Sequence, residues 1–205
     1  MSHIAVYRTT LGDVNIDILK KALEVLALEE TDLEIRYYIE DWYGKKHTSW
    51  EGDKIIGAIF SKELQKGVGV SVDKQGHLIF VSHDRGPALE KVKAKAEQTY
   101  KVVTLVIALQ NMGYEVQADE KMSTFEATLG RKKITLSIDD KGHITTDLEG
   151  FAGKACLEEA QKLAEELKKL GVNVDVQSLE RKEELAKDLE QMGKNPNIAY
   201  QDWCG

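Results

Sequence analysis

Apolar residues recur along the chain with two spacings, one that fits strands and one that fits helices. Ile4–Tyr7 is a short apolar run before the turn-prone Gly12-Asp13 and predicts a first strand. Asp13 or Asn15 is then placed to cap a helix whose apolar face is Ile16, Leu19, Leu23 and Leu26, with Ala22 and Ala27. Leu33–Ile39, rich in β-branched and aromatic residues, reads as a strand, as do Lys54–Phe60 and Val68–Val72. Leu78–Val81 closes a hairpin through Asp73-Lys74-Gln75-Gly76. Gly86-Pro87 opens a long helix, with proline at the first turn, where a missing N–H costs nothing. Its expected seam is Leu89, Val92, Ala96, Val103, Ile107 and Gln110, and Gly113 ends it. Within it Val102–Leu109 is apolar nearly all round, which predicts cover on several sides.

Further along, Tyr114–Gln117 and Thr124–Leu129 read as strands, and Lys133–Ile138 with Ile144–Leu148 as a second hairpin. A helix from about Lys154 to Leu170 is expected to bury Cys156, Ala160, Leu163, Leu167 and Leu170 before Gly171. Val172–Val176 reads as a short strand. Ser178 caps a last, highly charged helix to Met192, followed by the stop signals Gly193 and Pro196. Two stretches match at an offset of 66 residues: the segment Ser71–Leu78 reads against Ser137–Ile144, each with an Asp-x-x-Gly turn. A helix and a Gly-then-strand pattern follow each. Either the β-β-α-β unit is duplicated, or two hairpins share turn chemistry that Asp and Gly supply anywhere. The expected fold is α+β, in two units of mixed or antiparallel sheet with packed helices. The expected domains are 1–130 and 131–205, with a boundary near Arg131.

Met1-Ser2-His3, the Tyr43-Gly44 turn with its aromatic approach, and Gln98-Thr99-Tyr100 ahead of Met112-Gly113-Tyr114-Glu115-Val116 resemble the Ycf thirty-five-like family of cyanobacteria, other prokaryotes and plastids. The second unit resembles a separate small family often encoded beside it. Its pattern is strand, Asp-x-x-Gly, strand, Glu149-Gly150-Phe151-x-Gly153-x-x-Cys156, then a Leu-rich helix ending in Leu170-Gly171. The charged helix Ser178–Met192 departs from that pattern. The resemblance implies an accessory or adaptor role in a larger assembly, with an AAA+ ATPase as a partner, and no established activity.

Composition narrows the function classes. The 205 residues include 28 Lys and Arg against 35 Asp and Glu, a net charge of −7. That balance argues against a dedicated nucleic-acid binder, which carries a basic face. Two cysteines exclude a disulfide framework and a four-cysteine zinc site. No basic stretch precedes an apolar one as in a signal peptide, and Val102–Leu109 is far short of the ~20 residues a membrane span needs. A cytoplasmic protein without a membrane partner or a cofactor is expected.

Motifs for catalysis are sparse. Lys66-Gly67-Val68-Gly69-Val70 lacks the third glycine and the following helix of a dinucleotide loop. Asp139-Asp140 reads as a turn rather than a catalytic pair. Cys156 sits in the first turn of its helix, where the dipole favours a thiolate, and equally on the apolar stripe, where a free cysteine is a small hydrophobe. His77 and His83, with Asp84, are candidate metal ligands if they meet across a strand end. The competing reading is turn and surface histidines, since no His-x₃-His spacing occurs.

Aromatic residues are more telling. Five of the 14 (Tyr37, Tyr38, Trp42, Tyr43 and Trp50) fall between positions 37 and 50, and Tyr200 and Trp203 add a pair in the tail. Tyr and Trp are enriched at protein interfaces, and they are also common in cores. These seven are the candidate partner-binding residues. The expected function is a non-enzymatic adaptor that binds a protein or multi-protein complex. The alternatives are a thiol-dependent redox protein using Cys156 and a ribosome- or RNA-associated factor.

Overall fold

The computed structural model describes residues 4–9, 11–119, 124–138, 144–151 and 155–172. It is an α+β protein built from helices and antiparallel sheets. In chain order the elements are β1 (Ala5–Arg8), α1 (Ile16–Glu29), β2 (Glu34–Arg36), β3 (Ile39–Glu40), β4 (Lys46–His47), β5 (Ser49–Trp50), β6 (Asp53–Lys54), β7 (Gly57–Phe60), β8 (Val68–Val72), β9 (Leu78–Ser82), α2 (Pro87–Asn111), β10 (Glu115–Ala118), β11 (Thr124–Leu129), β12 (Lys132–Ile138), β13 (Ile144–Glu149) and α3 (Ala155–Lys169). By compactness the chain divides inside α2, between Leu105 and Val106, with residues 170–172 counted in the first unit. Arg131, where the sequence places a boundary, lies in the tight turn between β11 and β12. Those two strands pair from Thr124↔Ser137 to Leu129↔Lys132, so the sheet runs across that point.

The first unit is a five-stranded sheet in the order β1-β9-β8-β7-β2. β7 and β9 are buried at every residue and β8 at all but Val72, so the sheet is covered on both faces. Glycines show what lies on each side. A Cβ on Gly57 would meet Leu23 of α1, and one on Gly69 would meet Ile55 and Ile39. Gly57 pairs with Val70, and Ala58 pairs with Gly69, so neighbouring positions point to opposite faces. Helix α1 therefore covers one face. The excursion from Tyr37 to Ile56 covers the other, where Ile39, Ile55, Ala58, Phe60, Ile79 and Val81 form one cluster.

Helix α1 is capped by Asn15, whose Oδ1 accepts the N–H of Asp17 at 3.0 Å and of Ile18 at 3.2 Å. Its buried stripe is Ile18, Leu19, Ala22, Leu23 and Leu26, whereas Ile16, expected in the core, is 43% exposed. Ile16 is the first helical residue and precedes the stripe by half a turn, so Ile18 takes the inner position. Helix α2 has no exposed residue from Thr99 to Leu109, as its all-round apolar character implies. Its buried side chains there are Thr99, Tyr100, Val102, Thr104, Leu105, Ala108 and Leu109. Val103 and Ile107 are half-buried and Gln110 is exposed, which corrects the expected seam. Tyr100 turns inward because its hydroxyl has a partner: it accepts the Asn15 N–H at 2.9 Å.

In the second unit, β10-β11-β12-β13 form an antiparallel meander. Phe125↔Leu136 and Ala127↔Ile134↔Leu148 align one buried face, while Glu115, Gln117, Glu126 and Thr128 on the other face are exposed. Leu163 and Leu167 of α3 are buried as expected, and Ala160 and Leu170 are half-buried. The stripe also carries an unexpected member. Glu159 is only 5% exposed, accepts the Tyr114 hydroxyl at 2.7 Å and lies 3.6 Å from Lys132 and Lys162. Burial and the Glu159 carboxylate together push the Tyr114 hydroxyl well above its ordinary pKa.

The 66-residue offset appears in the registers. Hairpin β8–β9 closes at Val72↔Leu78 and β12–β13 at Ile138↔Ile144, each around five residues. Each hairpin leads into a helix, and each helix is followed two residues later by a glycine with positive φ, Gly113 and Gly171. The closing strand Val172–Val176, the helix Ser178–Met192 and the Asp139-Asp140 turn fall outside the described residues, Val172 excepted. The helices differ in length, 25 residues against 15.

Candidate functional site

Two predicted strands break, and the breaks create the site. Leu33–Ile39 splits at Tyr37-Tyr38, because β2 pairs with β7 in the sheet while β3 pairs with β4 in a separate ribbon. Lys54–Phe60 splits at Ile55-Ile56, whose N–H groups donate to Thr48 and Val70 carbonyls at 2.9 and 2.8 Å. Between the breaks the chain makes two small ribbons, β3–β4 and β5–β6, folded over the sheet.

Ribbon β3–β4 ends in the turn Asp41-Trp42-Tyr43-Gly44-Lys45. Gly44 N–H donates to the Asp41 carbonyl and Asp41 N–H to the Lys45 carbonyl, both at 3.0 Å. The Asp41 side chain locks the turn from inside: Oδ1 accepts the N–H of Tyr43 and of Lys45, each at 2.9 Å. Its Oδ2 lies 3.1 Å from His47 Nε2. The His47 contact, with the two backbone donors, holds the Asp41 carboxyl below the usual range. Gly44 takes φ +77, a left-handed angle glycine adopts without strain. Trp42 and Tyr43 are the two corner residues, and they project into solvent at 61% and 90% exposure.

The aromatic cluster therefore divides. Tyr37, at the bend, is exposed with Trp42 and Tyr43. Tyr38 and Trp50 pack on the sheet cluster instead. Tyr38 meets Phe60 edge-on at 5.8 Å and carries Lys46 Nζ 4.3 Å above its ring. Trp50 meets His47 edge-on at 5.8 Å. Tyr200 and Trp203 lie outside the described residues.

His77 and His83 do not converge. They flank the five residues of β9, at opposite ends of a strand that advances ~3.4 Å per residue. His77 belongs to the Asp73 turn, with Nδ1 3.5 Å from Asp73 Oδ1. His83 lies at the other end, its ring 6.1 Å from Trp42 in an edge arrangement. Burial pushes His83 below its ordinary pKa, against the opposing pull of Asp41 and Asp84. Among the described residues no group of three His, Cys, Asp or Glu is placed to hold a metal. Cys156 is the second residue of α3, and its side chain lies outside the described residues.

The sequence reading overlooked Asp41 and His47, which fix the turn. The signal was present, because Asp41-Trp42-Tyr43-Gly44 repeats the Asp-x-x-Gly pattern already read at Asp73 and Asp139. Two cavities of the first unit, of about 230 and 330 Å³, lie apart from the turn along Asp32, Ser61 and Lys62, with lysines and carboxylates mixed in their walls. No helix of the described residues is long and apolar enough to cross a membrane. The chain matches no model of a known protein family, and no curated protein or solved structure is significantly similar to it.

Proposed function

We propose that the chain is a non-enzymatic adaptor or accessory subunit, and that it docks on a protein partner through the Asp41–Lys45 turn, with Trp42 and Tyr43 as the anchors. One observation carries this reading. The Asp73–His77 turn has the same hydrogen bonds as the Asp41–Lys45 turn, and its corner residues are Lys74 and Gln75. The turn geometry thus works with ordinary polar corners. Two large aromatic side chains held in solvent need another reason, and partner contact supplies one. A locked turn also loses little freedom on binding, so more of the contact energy appears as affinity. Tyr37 extends the same exposed aromatic surface in sequence. The family resemblance adds an AAA+ ATPase as a candidate for the partner.

The test is co-purification of the tagged chain from its own cells beside the double variant W42K/Y43Q, which copies the Lys74-Gln75 corner. The expected result is a stoichiometric protein partner with the native chain, lost with the variant, at an unchanged melting temperature. Equal recovery by both, or no partner with either folded chain, would reject the reading.

A further inference from the structure

We infer that the partner segment seated on this turn is an acidic linear stretch of protein that also carries an apolar or aromatic side chain. This rests on the docking reading above and specifies its occupant. The argument is one of charge. The chain as a whole is net −7, yet the acids at this end of the sheet are turned toward the protein's own donors. Asp41 is occupied by Tyr43 N–H, Lys45 N–H and His47. Asp84 accepts the Lys66 N–H at 3.2 Å, and burial raises its carboxyl pKa.

The cations have the opposite arrangement. Lys45 and Lys46 follow the aromatic corner directly and are exposed. Lys66 joins them: its carbonyl accepts the Glu40 N–H at 2.8 Å, and its charge acts on His83, the ring beside Trp42. None of these three ammonium groups forms an ion pair with a carboxylate among the described residues. Beside two exposed rings, three uncompensated cations favour a segment bearing carboxylates and at least one apolar side chain. The rings would hold the apolar group and the lysines would steer the charge. A nucleic acid offers the same sign of charge, but the chain's overall negative charge opposes a polyanion more strongly than a short acidic segment.

A random twelve-residue peptide library displayed on phage, selected on the folded protein, tests this. Selected peptides are then measured against native protein, K45E/K46E and W42K/Y43Q, with a uridine twelve-mer as the nucleic-acid probe. The expected peptides are net negative with an aromatic or aliphatic residue. They bind K45E/K46E at least about tenfold more weakly, weaken as salt rises, and do not bind W42K/Y43Q. Neutral or basic peptides, no enrichment, or unchanged binding to K45E/K46E would overturn the acidic occupant. If W42K/Y43Q still abolishes binding in that case, the docking reading stands alone. Selected peptides that bind W42K/Y43Q as well as the native chain would remove the docking reading itself. Tighter binding of the uridine twelve-mer than of the peptides, lost in K45E/K46E, would assign the surface to nucleic acid instead.

Discussion

Asp41–Lys45 and Asp73–His77 are built from the same parts. In each, the aspartate N–H donates to the carbonyl four residues on, and the glycine N–H returns to the aspartate carbonyl. In each, Oδ1 collects two backbone N–H groups, at 2.9 and 2.9 Å in one and at 2.8 and 3.0 Å in the other. The second oxygen takes a further partner, His47 at 3.1 Å or Arg8 at 2.9 Å. Both glycines adopt left-handed φ, +77 and +84. The two turns differ in corner chemistry and in support. Lys74-Gln75 tops a hairpin of five-residue strands inside the main sheet, whereas Trp42-Tyr43 tops a ribbon of two-residue strands. A hydrogen-bond pattern that accepts either corner does not dictate the aromatic one, so the difference between twins points to function rather than folding.

The comparison breaks first if the ribbon is loosely attached. Ile39, at 0% exposure, joins it to the sheet cluster directly before the turn. Ile39→Ala is expected to cost about 2–5 kcal/mol of stability by chemical denaturation, as for a buried side chain replaced by a cavity. A loss below about 1 kcal/mol would mean the site collapses freely around the gap and the ribbon is not fixed by it.

Next in size is the contrast between corners. W42K/Y43Q should abolish partner recovery while shifting stability by no more than about 0.5 kcal/mol, the usual range for exposed positions. K74A/Q75A should leave both quantities where they were. Equal loss of partner from both variants would show that the corners are not distinguished.

Glycine substitutions sharpen the same comparison. Gly44→Ala and Gly76→Ala each force alanine into a left-handed angle, at a cost of about 1 kcal/mol. At Gly44 an added Cβ meets nothing within 4 Å, whereas at Gly76 it comes within 3.4 Å of the Asp13 backbone. Thermal melts should therefore rank Gly76→Ala as the more damaging, and the reverse order would mean that the Asp13 backbone yields easily.

The smallest effect concerns His83 behind Trp42. Its folded pKa is depressed below the ordinary 6.5, chiefly by burial, so the unfolded chain binds more protons in the window between the two values. The stability tied to neutral His83 is fully present above pH 6.5 and is lost as pH falls through the lower folded value. His83→Gln should flatten the decline in melting temperature below that pH, and an unaltered slope would assign the decline to other groups, such as the Asp41 and Asp73 carboxyls, whose pKa values are also depressed.

The parts legible in the sequence were those governed by one period or one turn. Asn15 as a cap, Gly113 as a stop, and the β8–β9 and β12–β13 hairpins follow from local chemistry alone. The breaks at Tyr37-Tyr38 and Ile55-Ile56 were not legible, because Leu33–Ile39 and Lys54–Phe60 keep β-prone residues throughout. What interrupts them is a change of pairing partner, a tertiary event. Glu159 escaped for a related reason: its burial depends on Tyr114, 45 residues away in the chain. At the site, the aromatic density was visible, but its division into Tyr38 and Trp50 inside and Tyr37, Trp42 and Tyr43 outside needed the sheet. His77 and His83 looked close in sequence only because a five-residue strand separates them.

The most direct test of the docking claim uses the twin turns as each other's control. A photo-crosslinking benzoylphenylalanine is placed at position 43 in one chain and at the equivalent position 75 in another, and each is irradiated in the protein's own cells. One discrete cross-linked species from position 43, with none from position 75, is the predicted result. The same products from both positions, or none from position 43 in a folded chain, would contradict the account.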